Sequence, residues 1–222
     1  DMLGRLRHHV THVIEPAPSR DHTERMLGAF GVQVTRDDAT VSLDGPAALA
    51  ATRIDIPGDF SSAAFFIVAG LIAGAAPLLI RGVGVNPTRT GLLDILRLMG
   101  ADIRLHQASS RAGEAVADIE VRPGELRGIA VPHELVASAI DEFPVLFAAA
   151  AVAEGETLVT GAAELRVKES DRIAVMNAGD SPPTVLAAIA AQLQRFTHTC
   201  YQVVPYESYV ALAEELNHTT PG

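Results

Sequence analysis

Two patterns of apolar residues recur along this chain. In the first, apolar positions at helical spacing run to a glycine and then give way to strand alternation: residues 23–34 (TERMLGAFGVQV) and 92–103 (LLDILRLMGADI). In the second, the run is apolar on nearly every face: residues 62–74 (SAAFFIVAGLIAG) and 142–155 (EFPVLFAAAAVAEG). Each of these predicts a buried helix closed by glycine and followed by an apolar strand, at 77–80 and 157–159. A strand is predicted at 52–56, ahead of the first buried helix, and strands at 41–43 and 118–121 close the units. Turn signals stand at 44–46 (DGP) and 122–124 (RPG). The order amounts to a repeat of βαβαββ type with a period near eighty residues, an α+β arrangement.

The repeat then stops. A further helix is predicted from Asp171, but residues 177–183 (NAGDSPP) break it after little more than one turn. All three Tyr and the single Cys fall in the last twenty-three residues, where 184–196 and 206–217 read as amphipathic helices. The organisation expected is an unassigned segment over 1–12, a repeat-bearing domain over 13–176 and a short helical C-terminal tail over 177–222.

Composition narrows the function classes. Of 222 residues, 48% are hydrophobic, so a packed core is expected. The most apolar stretch, 65–79, is interrupted by Gly70, Gly74 and Pro77 and predicts a buried helix and strand, with no membrane partner. A net charge of −10 argues against a nucleic-acid partner. One cysteine, Cys200, rules out an internal disulfide, and the N-terminus lacks a signal-peptide pattern; a reducing cytoplasm is the expectation. His8, His9 and His12 lack the company of other ligands, so no metal site and no cofactor is expected.

Lys168 is the only lysine among seventeen cationic residues. It sits in Arg166-Val167-Lys168-Glu169-Ser170-Asp171-Arg172, where three cations and two carboxylates share seven residues. A point-charge Lys between two forked Arg suits an anionic substrate, although a solvated helix start has the same look. At 57–62, Gly58 permits a tight approach, Asp59 or Ser61 can cap the helix, and the free N–H groups of the first turn can bind an anion. Asp141 and Glu142 head the second buried helix, where the dipole favours ionised carboxylates and one of them can serve as a base. Ser19, ahead of Arg20-Asp21-His22, can cap the first helix or hold a phosphate. These four polar helix starts are expected to converge on one cleft.

Four segments carry a resemblance: 19–26 (SRDHTERM), 58–62 (GDFSS), 141–144 (DEFP) and 166–172 (RVKESDR). Together they resemble the EPSP synthase family over about residues 13–176. The resemblance implies two domains of three βαβαββ units each, the enolpyruvyl transferase type, here incomplete. It implies transfer of an enolpyruvyl group from phosphoenolpyruvate to the 5-hydroxyl of shikimate 3-phosphate, in aromatic amino acid biosynthesis. Asp141 matches the aspartate near the attacking hydroxyl, and Glu169 the glutamate that shuttles a proton to the methylene carbon. Lys168 matches the lysine at the shikimate phosphate substrate and the reacting centre, Arg172 an arginine that binds phosphoenolpyruvate, and Ser19 a serine on the shikimate phosphate.

The chain departs from the family in what it lacks. The N-terminal Lys-Ser segment, the Gly-rich phosphoenolpyruvate loop, the Ser-Ser-Gln motif, the late Asp-His-Arg segment and the final lysine do not occur in these residues. Impaired catalysis is therefore expected, with an inactive remnant that binds phosphate ligands weakly as the alternative. An incomplete repeat exposes apolar faces, so self-association is expected as well. Residues 184–193 (TVLAAIAAQL) and 196–207 (FTHTCYQVVPYE) resemble the N-terminal region of 4-aminobutyrate aminotransferases, and the resemblance implies a chimeric or rearranged chain. The pyridoxal phosphate lysine and cofactor core of that family are absent, so no aminotransferase activity is implied.

Overall fold

A computed structural model describes residues 9–15, 19–168 and 171–173. The chain divides into two units, Asp1–Arg172 and Ile173–Gly222. The helix predicted from Asp171, the break at 177–183 and the tail helices lie almost wholly outside the described residues.

The first unit begins with β1 (His9–Ile14), α1 (His22–Ala29), β2 (Val34–Asp37) and β3 (Thr40–Gly45). These strands form an antiparallel sheet in the order β1-β3-β2, with Val13 opposite Val41 and Thr35 opposite Ser42. β1 starts inside the segment left unassigned at the N-terminus. α1 ends where its glycine predicts: Gly31 takes φ +83, a conformation that costs an L side chain energy but costs glycine little. No residue of α1 is fully buried.

The second half holds the core. It runs α2 (Phe60–Ile72), β4 (Leu78–Gly84), α3 (Gly91–Leu98), β5 (Asp102–Arg111), β6 (Glu114–Arg122), α4 (His133–Ala139) and α5 (Phe143–Val152). β6 is the central strand of a second antiparallel sheet, ordered β4-β6-β5. Ile119 and Val121 of β6, Ile67, Val68 and Leu71 of α2, Leu92, Ile95 and Leu96 of α3, and Phe143 and Leu146 of α5 are all 0–2% exposed. Their periodicities are those read from the sequence, and each fully buried side chain of this kind contributes about 1.5–3 kcal/mol of transfer free energy. The α2 face bearing Phe65, Phe66 and Ile72 remains exposed.

The structure corrects several expectations. Residues 52–56 form no strand; they run exposed, and only Gly58 makes a parallel bridge, to Val83. The strand expected at 157–159 is likewise reduced to single parallel bridges, Arg127 to Glu154 and Ala130 to Leu158. In both cases strand-forming residues lack a ladder on which to pair, and propensity alone does not make a sheet. α2 ends with C-cap Ala73, directly before its predicted Gly74, whereas α5 ends earlier than expected, with C-cap Ala153 two residues before Gly155. α4 was not predicted, since seven residues give too short a window for a helical period.

Candidate active site around Asp141

Asp141 and Glu142 stand immediately before α5, and the residues around them come from far along the chain. Asp59, the N-cap of α2, accepts a hydrogen bond from Ser62 N at 2.7 Å. Capping by Asp59 leaves the neighbouring Ser61 hydroxyl unused, and it donates instead to Glu142 Oε1 at 2.6 Å. Arg89, in the turn between β4 and α3, donates from Nη2 to Ser61 Oγ at 2.8 Å and from Nη1 to Asp141 Oδ2 at 3.0 Å. A longer contact of 3.4 Å joins Arg89 Nη2 to Glu142 Oε1. One arginine thus ties the start of α2 to the start of α5.

Asp141 is the centre of a cationic ring. Arg20, just ahead of α1, donates to Oδ2 alongside Arg89. Lys168 Nζ lies 3.6 Å and Arg172 Nη1 3.8 Å from Oδ1. A 3-10 turn over Ala163–Arg166 delivers Lys168, anchored by the buried Leu165. Lys168 is shared with Glu164, at 2.6 Å, and Arg166 pairs with Asp171 at 3.0 Å.

The two adjacent carboxylates respond in opposite ways. Burial is the largest single influence on Asp141 and acts to raise its pKa. The Arg20 hydrogen bond and the charges of Arg20, Lys168 and Arg89 together outweigh it, holding the carboxyl below the usual aspartate range. Glu142 is only 2% exposed. Burial pushes its pKa up, the Ser61 bond and Arg89 offset this in part, and the charge of Asp141 adds to the rise. Desolvation is the largest influence, so the pKa of Glu142 lies above the usual glutamate value, where the helix dipole read from the sequence would by itself lower it. Its Oε2 is buried without a hydrogen-bond partner, as suits a carboxyl that holds a proton more readily than an exposed one.

Of the five site residues read from the sequence, the structure brings Asp141, Lys168 and Arg172 together. Glu169 lies outside the described residues. Ser19 neither caps α1, whose N-cap is Asp21, nor touches the ring; its hydroxyl donates to Glu15. The starts of α1, α2 and α5 do converge with Lys168 and Arg172, through Arg20, Ser61 and Asp141 with Glu142. Sequence reasoning passed over Arg20 and Arg89 as site residues. Both stand just before a helix N-terminus, where the dipole disfavours a cation, and that misplaced charge was the available signal.

Chemically, four cations meet at Asp141, with Glu142 beside Arg89 and Glu164 beside Lys168. Such a ring can neutralise an incoming phosphate or carboxylate while Asp141, ionised, accepts a proton.

A family model described as EPSP synthase (3-phosphoshikimate 1-carboxyvinyltransferase) matches residues 2–179. The curated 3-phosphoshikimate 1-carboxyvinyltransferase of Halorhodospira halophila is 63% identical over 169 residues, 76% of this chain and 38% of that protein. That of Methylococcus capsulatus is 56% identical over 169 residues, covering 76% of this chain and 39% of the relative. The solved structure of EPSP synthase from Acinetobacter baumannii superposes with a TM-score of 0.73 at 53% identity, over 77% of this chain and 38% of that one. The chain therefore spans a little over a third of the length of these relatives.

Proposed function

The chain belongs to the EPSP synthase family, and on that premise we propose that the Asp141 ring is part of an enolpyruvyl-transfer site for phosphoenolpyruvate and shikimate 3-phosphate. The observation that carries the reading is the meeting of Arg20, Arg89, Lys168 and Arg172 on one ionised carboxylate. Both substrates carry a phosphate and a carboxylate, so the reaction needs a surplus of fixed cations in a partly desolvated place.

In this reading the substrate hydroxyl approaches Asp141, which takes its proton as oxygen adds to C2 of phosphoenolpyruvate. Glu169 delivers a proton to the methylene carbon. The tetrahedral adduct then expels phosphate and loses a methyl proton, restoring the vinyl group. Lys168 and Arg172 balance charge on the phosphoenolpyruvate moiety, and Arg20, beside Ser19, faces the shikimate phosphate. No cofactor takes part in this scheme.

The second reading is a weak phosphate-ligand binder without turnover. It is favoured by the single lysine in these residues, Lys168, which also pairs with Glu164. Self-association through the exposed α2 face of Phe65, Phe66 and Ile72 belongs to either reading; light scattering that reports a monomer across a wide concentration range refutes it. We place the chain in the cytoplasm, with neither nucleic acid nor membrane as a partner. Residues 177–222 we read as an aminotransferase-like tail.

The deciding experiment is phosphate release by the purified chain given both substrates, with Lys168→Ala and Glu169→Ala as controls. Release that both substitutions abolish supports transfer. No release above the controls, from folded protein that still binds phosphoenolpyruvate, supports the second reading.

A further inference from the structure

Asn86 lies in the turn between β4 and α3 and is 2% exposed. Its Oδ1 accepts from Thr88 N and Thr88 Oγ1, each at 2.9 Å, and its backbone carbonyl accepts from Arg89 N at 2.9 Å. Those bonds shape the turn that ends in Arg89. The amide nitrogen donates to Asp21 Oδ1 at 2.7 Å and to Glu114 Oε2 at 3.1 Å. Two donors on one side and two carboxylates on the other admit one orientation of the amide.

Asp21 directly follows Arg20, and Arg20 and Arg89 share one oxygen, Asp141 Oδ2. The Asn86 side chain is therefore the shorter of two links between the backbone segments that bring those arginines to the site, Thr88 Oγ1 adding a bond to Asp21 Oδ1 at 3.5 Å. A second layer supports it. His22 Nδ1 lies 2.7 Å from Glu114 Oε1, Arg25 pairs with Asp21 at 2.8 Å, and Arg25 Nη1 donates to Gly113 O at 3.0 Å. Gly113, with φ +86 in the β5–β6 turn, leaves room for this approach; a Cβ there would lie 2.9 Å from Arg25 O.

We propose that Asn86 is a positioning residue, holding Arg20 and Arg89 in register on Asp141 by bridging the α1 segment to the β4–α3 turn. The inference rests on the geometry around Asp141 and not on turnover. A wild-type chain that releases no phosphate would count against the preceding reading and would leave the following test readable.

Asn86→Asp keeps the acceptor that Thr88 uses and turns the donor into a carboxylate oxygen facing Asp21 and Glu114. In the full chain, NMR reads the titration midpoint of the Asp141 carboxyl carbon and the Nε–H signals of the arginines. Loosening two of the four cations should raise the Asp141 midpoint by about one pH unit. The Arg20 and Arg89 signals should move toward free arginine while those of Arg104 and Arg122, far from the bridge, stay. A merely structural defect would move all four. Asp21→Ala removes the acceptor from the opposite side without uncapping α1, since Asp21 makes no side-chain cap bond; it should raise the midpoint likewise, and it decides the matter if Asn86→Asp does not fold. An unchanged Asp141 midpoint with unchanged Arg20 and Arg89 signals, in either folded variant, overturns the proposal.

Discussion

Ser61→Ala isolates the link between the starts of α2 and α5. The hydroxyl donates to Glu142 Oε1 at 2.6 Å and accepts from Arg89 at 2.8 Å. Its removal leaves Glu142, 2% exposed, with only the 3.4 Å contact to Arg89. A hydrogen bond to a charged partner contributes about 1.5–3 kcal/mol, and relaxation around Arg89 recovers part of this, so a loss of about 2 kcal/mol at neutral pH is expected. The loss should depend on pH. The folded pKa of Glu142 is raised above 4.5, so its ionisation weighs against the fold once the pH climbs through that window. Deleting the Ser61 donor, which lowers that pKa, widens the window. The deficit should therefore be largest at neutral pH and shrink as the pH falls through the folded pKa of Glu142. Urea unfolding at several pH values measures it, and the same substitution in a Glu142→Gln background completes a double-mutant cycle. A deficit independent of pH, or equally large in the Glu142→Gln background, would refute the coupling of Ser61 to an ionising Glu142.

The remaining predictions concern the ring and the packing beneath it. Asp141→Asn removes the central negative charge, so the four cations should bind inorganic phosphate more tightly by calorimetry; weaker binding would contradict the charge balance drawn here. The folded pKa of Asp141 is depressed below 3.8, so its contribution to stability is present above the unfolded value and lost as the pH falls through the folded one. The acid limb of a stability-versus-pH curve should accordingly flatten in Asp141→Asn. Gly128→Ala would set a Cβ 2.5 Å from the Glu156 carbonyl carbon, a backbone atom held by the 127–131 and 154–158 bridges. It should cost about 2 kcal/mol or more, and a melting temperature within a degree of wild type would refute that packing.

Much of the framework was readable before any coordinates. Helical spacing marked α1, α2, α3 and α5, and Gly31 and Gly100 marked the ends of α1 and α3, because periodicity and left-handed caps are local properties of a chain. The Lys168 segment and Asp141 stood out for the same reason: their charge is unusual for where it sits. Residues 52–56 and 157–159 have strand composition, yet a strand needs a neighbour, and that neighbour is chosen by the whole fold. The encounter of Arg20 with Asp141, across 121 residues of sequence, is a property of packing alone. So is the division of labour between Asp141 and Glu142: adjacent and chemically alike in sequence, they are separated by desolvation and by which cations reach them. The Asn86 bridge, likewise, exists only once α1 and the β4–α3 turn lie side by side. Local chain chemistry specified the elements and the candidate chemistry; burial and long-range juxtaposition, which no local pattern encodes, decided which side chains share a site and in which direction each carboxyl's pKa moves.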